Sequence, residues 1–380
     1  MIEGKGTYGI VCSSPRLPYL EIYNFDKIKI SNNETIEDVK NKNEVSKIFY
    51  NIENYKDERD KYIQLNLYNL PNLYFNKPIY YGEISINKIS KIDYSLKKYI
   101  LINPFQITFQ RGEIVSSIKN LSIEDFYIKI ENLFYLIKYL NDNFFINDDL
   151  KLQNTIYINS LFKIIDYSSL INLSNISEEI FESSFLAYFS YYTYLNILNI
   201  SFINIITERN EVNEHYSKKN YDKEEYEYNK EYLCNILSLI SQVFRNKSFT
   251  IILVDNLTNK NIEINLLRFL NEIKDYKYNN IKNIYYNNIF NHYLNNKYGN
   301  NKKEKLENIA KRINCYAFGI LLLNSFINID SFLDIDLFNS FQIKILKLAM
   351  YLCLNFIKHD DEIYIFEPNI EDIIEKYKTL

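Results

Sequence analysis

Two carboxylates and an amide, Asp149, Asn154 and Asp166, stand near one another in the sequence, on either side of what reads as a β-hairpin. The run is Ile146-Asn147-Asp148-Asp149-Leu150-Lys151-Leu152-Gln153-Asn154, then residues 155–158, a turn at Asn159-Ser160, residues 161–165, and Asp166-Tyr167-Ser168. Acidic and amide groups on loops flanking paired strands suit phosphoryl transfer, where a divalent metal neutralises phosphate charge and a carboxylate positions the attacking hydroxyl. The plain alternative is that Asp149 and Asn154 only cap a turn, as short polar side chains often do.

A second cluster bears on the choice. Of the 7 glycines, three are Gly4, Gly6 and Gly9, within Gly4-Lys5-Gly6-Thr7-Tyr8-Gly9-Ile10-Val11. Glycine lets backbone approach a ligand closely, so a hairpin of this composition can lay its amides over a triphosphate. A dinucleotide-binding turn shares part of the pattern. It needs a hydrophobic strand before it and a helix after it, and neither is present here.

The elements that would carry these residues are legible in part. Across residues 123–140, Phe126, Ile130, Leu133, Phe134, Ile137 and Leu140 recur at the spacing of an amphipathic helix, which delivers the Asp149 loop. In this order and context the chain resembles the protein kinase superfamily. The run 147–154 looks like the catalytic loop H-R-D-L-K-P-x-N, residues 166–168 look like D-F-G, and residues 4–11 look like the glycine-rich flap G-x-G-x-x-G-x-V. The resemblance implies Asp149 as catalytic base, Lys151 as a γ-phosphate contact, Asn154 and Asp166 as Mg²⁺ ligands, and Gly4, Gly6, Gly9 and Val11 as ATP-binding positions. It also implies a lysine–glutamate ion pair. Val45-Ser46-Lys47-Ile48-Phe49 resembles V-A-I-K-x and gives Lys47. Glu58, in a helical stretch at 54–67, is its partner, with Glu53 as a competitor.

Further on, residues 311–322 resemble the run opening the family's most buried helix, with Asn314 where an Asp is usual. Residues 341–357 read as a later helix. The implied fold is α+β and bilobal: a small antiparallel-sheet lobe with one helix (1–104) and a larger, mainly helical lobe (105–380). Strands are expected near 74–85 and 99–108, with Asn103-Pro104-Phe105 where adenine would be held. An insertion of about 100 residues at 205–305 exceeds ordinary loop lengths. Part of it reads as helical, at 231–244 and 261–273, and part as mobile.

Several family features are altered. Asp148 replaces the catalytic-loop Arg that would receive an activation-loop phosphate, which disfavours that switch. Tyr167 and Ser168 replace Phe and Gly, and no A-P-E or later partner Arg is visible after Arg312. These losses fall on regulation, while every ATP, metal and proton-transfer position is occupied. The expectation is therefore a Mg·ATP-dependent serine/threonine protein kinase acting on protein substrates. A pseudokinase scaffold that binds nucleotide or protein is the alternative.

Composition sets the outer bounds. The chain has 380 residues, 47% hydrophobic and 24% charged, enough for a sizeable core. With 44 basic and 48 acidic residues the net charge is −4, so no global attraction to nucleic acid or anionic membrane is expected. Abundant Tyr, Phe, Ile, Asn and Lys suggest an AT-rich genome, and the kinase-like motifs with this insertion and this residue usage resemble divergent kinases of large DNA viruses. A cytoplasmic location, in a host cell or virion, is expected. Cys12, Cys234, Cys315 and Cys353 are too scattered for a zinc site and read as packed thiols. The uncharged run 183–207 is long enough to raise a membrane span, but its polar groups oppose insertion.

Overall fold

The computed structural model describes residues 2–5, 9–13, 17–40, 42–66, 68–85, 94–118, 121–147, 150–167, 170–175, 250–254, 261–265, 299, 301–328, parts of 341–352, 356–359, 362–365 and 369–379. The protein is mixed α+β. Residues 1–115 with 153–168 form one compact unit, and 116–152 with 169–380 form another.

The first unit is organised by a seven-stranded sheet, all of whose pairings are antiparallel. Its strands are β1 (Ile2–Lys5), β2 (Gly9–Ser13), β3 (Tyr19–Tyr23), β4 (Lys29–Asn32), β5 (Glu44–Phe49), β6 (Pro78–Ile84) and β7 (Phe105–Gln110), in the order β1-β2-β5-β7-β6-β3-β4. Where one helix was expected, the described residues hold three: α1 (Ile36–Lys40), α2 (Ile52–Asn66) and α3 (Tyr94–Ile102). Residues 99–102, expected to be extended, belong to α3. Phe105 opens β7, an interior strand, so Asn103-Pro104-Phe105 is not the point where the chain leaves the sheet. That point is Arg111-Gly112, after which β8 (Glu113–Ile114) pairs with β10 (Thr155–Ile158). Asn103 has a structural task instead. Its buried side-chain amide donates to the carbonyls of Phe49 (3.2 Å) and Asn51 (2.9 Å), fixing the lead-in to α2.

Strand alternation divides β5 between two layers. Ser46 and Ile48 face one side, in register with Cys12 and Ile10 of β2 and with Thr108 and Gln106 of β7. There Ile10, Cys12, Leu17, Ile48, Ile84 and the α3 residue Ile100 form one apolar cluster. Lys47 and Phe49 face the other side with Ile107, toward α2. Tyr55, Glu58, Tyr62 and Leu65 of α2 are buried at helical spacing. Tyr55 packs on Phe49 and Phe105 at centroid distances of 5.7 and 4.9 Å, and Tyr62 on Phe109 at 5.8 Å.

In the second unit, α4 (Ile123–Lys129) is capped by Ser122, whose hydroxyl accepts from the Asp125 amide at 3.0 Å. The following helix, α5 (Glu131–Asp142), buries Leu133, Phe134, Ile137 and Leu140, as the spacing predicted, and Leu136 besides; the single helix expected across 123–140 is divided at Ile130. Phe134 meets Phe318 of α6 (Lys302–Asn328) at 4.7 Å and Tyr377 of α7 (Ile370–Thr379) at 5.0 Å. The expected core run 311–322 lies inside α6. Ile345, Leu348, Ala349 and Leu352 are helical and fully buried, but Phe356 and Ile357 belong to β15 (Phe356–His359) rather than to that helix.

Within the expected insertion, Asn261–Asn265 is a strand, β14, paired with β13 (Thr250–Val254). The short alternation of Ile262 and Ile264 beside a β-branched partner run favours extended backbone over the helix expected there. The segments 231–244 and 183–207 lie outside the described residues. Cys12 and Cys315 are buried. Among the described residues no helix is long and apolar enough to cross a membrane.

Candidate functional site

Lys47, Glu58 and Asp166 meet in the first unit. The Lys47 ammonium donates to both Glu58 carboxylate oxygens, at 2.9 and 2.7 Å, and to Asp166 Oδ1 at 3.3 Å. Each partner is held by a separate element. Lys47 projects from β5 with its ammonium 5.4 Å from the Phe49 ring centroid. Glu58 comes from the sheet-facing stripe of α2, whereas Glu53, its competitor, is exposed. Asp166 follows the hairpin of β10 (Thr155–Ile158) and β11 (Leu161–Ile164).

That hairpin also fixes Asn154. Thr155 pairs with Ile164, and the Ile165 amide donates to the Asn154 carbonyl at 2.8 Å, so Asn154 and Asp166 sit at the open end of one hairpin. The turn is tight because Asn159 and Ser160 both take positive φ, 51° and 64°, as a two-residue hairpin connection requires. Asp166 itself has φ 53°, a left-handed conformation that costs an L-residue about 1–3 kcal/mol. Its neighbours hold it there. The Lys47 ammonium takes the carboxylate, and the buried ring of Tyr167 packs 5.2 Å from Tyr62 and 4.9 Å from Phe75.

One cation serves two anions in this cluster. Burial alone would lower the Lys47 pKa, but Glu58 and then Asp166 outweigh it and hold the ammonium above the usual lysine range. Burial pushes the Glu58 carboxyl up, Lys47 pulls it down, and the Asp166 charge pushes it up again, leaving it above the ordinary carboxylate value. The formal charge of −1 matches a site that accepts a further cation.

The residues present fit Mg²⁺ held together with phosphate rather than by protein alone. Among the described residues no group of three or more His, Cys, Asp or Glu could form a closed metal cage. Mg²⁺ takes few protein oxygens and completes its shell with phosphate and water; the exposed Asp166 carboxylate, with the buried Asn154 at the same end of the hairpin, would hold it there. Asp166 is 41% exposed at its side chain, accessible to such a ligand, while Lys47 is 16% exposed.

The remaining predicted positions divide. Gly4 pairs with Val11 between β1 and β2, and Val11 lies directly opposite Lys47. A Cβ at Gly9 would collide with the Ile48 carbonyl oxygen, which gives this glycine a packing reason within the sheet. Lys151 is half-buried between the buried Leu150 and Leu152. Gly6, Asp148, Asp149 and Ser168 lie outside the described residues.

In the second unit a contact not readable from sequence fixes the entry to the Asp149 loop. Asn314 of α6, fully buried, accepts from the Asn147 amide at 3.0 Å and donates to Asn141 Oδ1 at 2.9 Å and the Phe145 carbonyl at 2.8 Å. An amide can do this where a carboxylate could not, because it donates as well as accepts. Tyr62 and Phe75 were also not foreseen as supports. The only sequence signal was the α2 spacing that puts Tyr62 one turn beyond Glu58.

Comparison of the chain with protein-family models gave no match, and comparison with curated proteins gave none.

Proposed function

We propose that the protein is a Mg·ATP-dependent protein kinase of bilobal fold that transfers the γ-phosphate of ATP to Ser or Thr hydroxyls of protein substrates. The observation that carries this reading is the Lys47–Glu58–Asp166 cluster. Residues assigned separately from three distant motifs share one ammonium, at 2.7 and 3.3 Å. The antiparallel sheet that begins with the glycine-rich hairpin, the lysine strand followed directly by the glutamate helix, and the Asn314 support beneath residue 147 add to it.

In this reading Lys47 holds the α- and β-phosphates, oriented by Glu58. Asp166 and Asn154 hold the metal, which when bound neutralises phosphate charge. Lys151 contacts the γ-phosphate, and Asp149 takes the proton of the attacking hydroxyl. Val11 and the backbone of the glycine hairpin lie over the nucleotide.

Autophosphorylation and generic-substrate assays of wild type against Asp149→Asn test the activity. A general base accounts for about 10²–10⁴ of the rate. Equal rates in the two proteins would end the enzyme reading. A Mg·ATP thermal shift present in wild type and lost in Asp166→Asn is the expected binding result. Nucleotide binding without turnover would instead favour the scaffold.

A further inference from the structure

We propose that the β3–β4 hairpin is a resident clamp on α2, with Phe25 the positioning residue that keeps Glu58 against Lys47. The inference deepens the kinase reading by naming how the ion pair is regulated, and it rests on that reading for its effect on turnover.

The hairpin is an unusual piece of surface. From Asp26 to Asn32 every residue is exposed, Ile28 and Ile30 by 60% and 50%, yet Phe25 at its tip is 8% exposed. The tip is shaped to turn that ring inward. Asn24 Oδ1 accepts from the amides of Asp26 (3.1 Å) and Ile28 (2.9 Å), and Lys27 takes φ 63°. Phe25 then packs edge-on against Tyr62 at 6.1 Å and against Tyr81 at 5.1 Å, and Tyr23 stacks on Tyr81 at 5.7 Å.

A second grip lies one turn further along α2, where Asn66 Nδ2 donates to Asp26 Oδ1 at 3.1 Å. The hairpin is itself anchored to the sheet through β3 and β6. It therefore ties the C-terminal half of α2 to the same sheet that carries Lys47. Tyr62 is one turn from Glu58 and touches Tyr167, next to Asp166, so the ring held by Phe25 borders both carboxylates of the site. In kinases, placement of this helix is a common point of control. Here the chain supplies the holding contact from its own β3–β4 hairpin, so the Lys47–Glu58 pair forms without an activation-loop phosphate, in keeping with Asp148 in place of Arg.

Hydrogen exchange of the full chain without nucleotide tests the contact. Phe25→Ala is expected to speed exchange of amides 58–66 about tenfold while β5 and β7 stay protected, and Phe25→Leu to restore most protection. Unchanged exchange at 58–66 overturns the clamp. Should Phe25→Ala also lose β5 and β7 protection, Asp26→Ala decides: faster exchange confined to 62–66 supports the clamp, and none overturns it. In turnover assays Phe25→Ala is expected to lower kcat about tenfold in wild type and to have no further effect in Glu58→Gln. Equal losses in both backgrounds overturn action through Glu58. A wild-type protein that neither binds nor turns over Mg·ATP defeats the kinase reading instead, and the exchange result still judges the clamp.

Discussion

The two faces of the seven-stranded sheet are made from alternate residues of the same strands, and they are chemical opposites. On the α3 side the buried cluster is largely aliphatic and its hydroxyls meet one another: Tyr19 and Thr108 share a hydrogen bond of 2.7 Å, and Ser46 lies 3.4 Å from the same Thr108 oxygen, while Gln106 donates to the Leu17 carbonyl at 2.8 Å and its own Oε1 is left without a partner. On the α2 side one residue of β5 along, an ammonium is enclosed with two carboxylates and a net negative charge is left over. A buried ion pair is weak evidence for stability, because desolvation offsets much of its attraction. Burying an isoleucine fully contributes roughly 1.5–3 kcal/mol without such an offset. The comparison teaches that the charged cluster is retained on a face that also buries the rings of Phe49, Tyr55, Tyr62 and Phe109, so apolar packing on both faces offsets the cost of keeping charges there.

The strongest way to break this division is Lys47→Met. It leaves Glu58 buried without its cation, so denaturant titration is expected to show a loss of about 3–5 kcal/mol, together with loss of the Mg·ATP thermal shift. Retained nucleotide binding would show that the charged face is only structural. Ile48→Ala, on the opposite face of the same strand, should cost about 2–5 kcal/mol of stability while leaving the Mg·ATP Kd of the folded protein unchanged. A parallel fall in affinity would mean that the faces do not separate.

Thr108→Val sharpens the contrast at smaller amplitude. It removes the nearest partner of the Tyr19 hydroxyl and leaves the longer contacts to the Tyr80 and Gln106 carbonyls, and the expected cost is about 1 kcal/mol, with no change in turnover. The smallest effect is on pH dependence. Because the folded state holds the Glu58 proton more tightly than the unfolded chain, stability falls as pH rises from the ordinary glutamate value through the elevated folded one. Glu58→Gln should flatten that decline when stability is measured against pH beside wild type. The Lys47 contribution is complete below the ordinary lysine value and disappears only as pH rises through its elevated one, so it does not mask the acid window.

What could be read from sequence was whatever rested on local periodicity or on motif residues a few positions apart. The spacing of Leu133, Phe134, Ile137 and Leu140 marked α5, Asn159-Ser160 marked the turn beside Asp166, and Val45-Ser46-Lys47 marked β5. Glu58 could be named but not separated from Glu53, since the choice depends on which face of α2 meets the sheet. Leu96, Tyr99 and Ile100 were harder, because a short apolar run fits strand or helix equally well. That ambiguity moved the expected exit from the sheet to Pro104. Asn314 was marked only by its place in the run 311–322; its contacts with Asn141 and Asn147 could not be read, for they span more than a hundred intervening residues. Phe25 was equally silent, being one aromatic among many.

Tyr127 of α4 and Tyr377 of α7 each donate a hydroxyl proton to the other's backbone carbonyl, at 2.8 and 2.9 Å. The two residues are 250 positions apart. At ribosomal speeds of about 5–20 residues per second, α4 waits roughly 10–50 s for the segment that closes over it. Until then the part of Tyr127 that Tyr377 covers is open to water and to other nascent chains, so the α4–α7 contact forms late in synthesis and is one that a holding chaperone would shield.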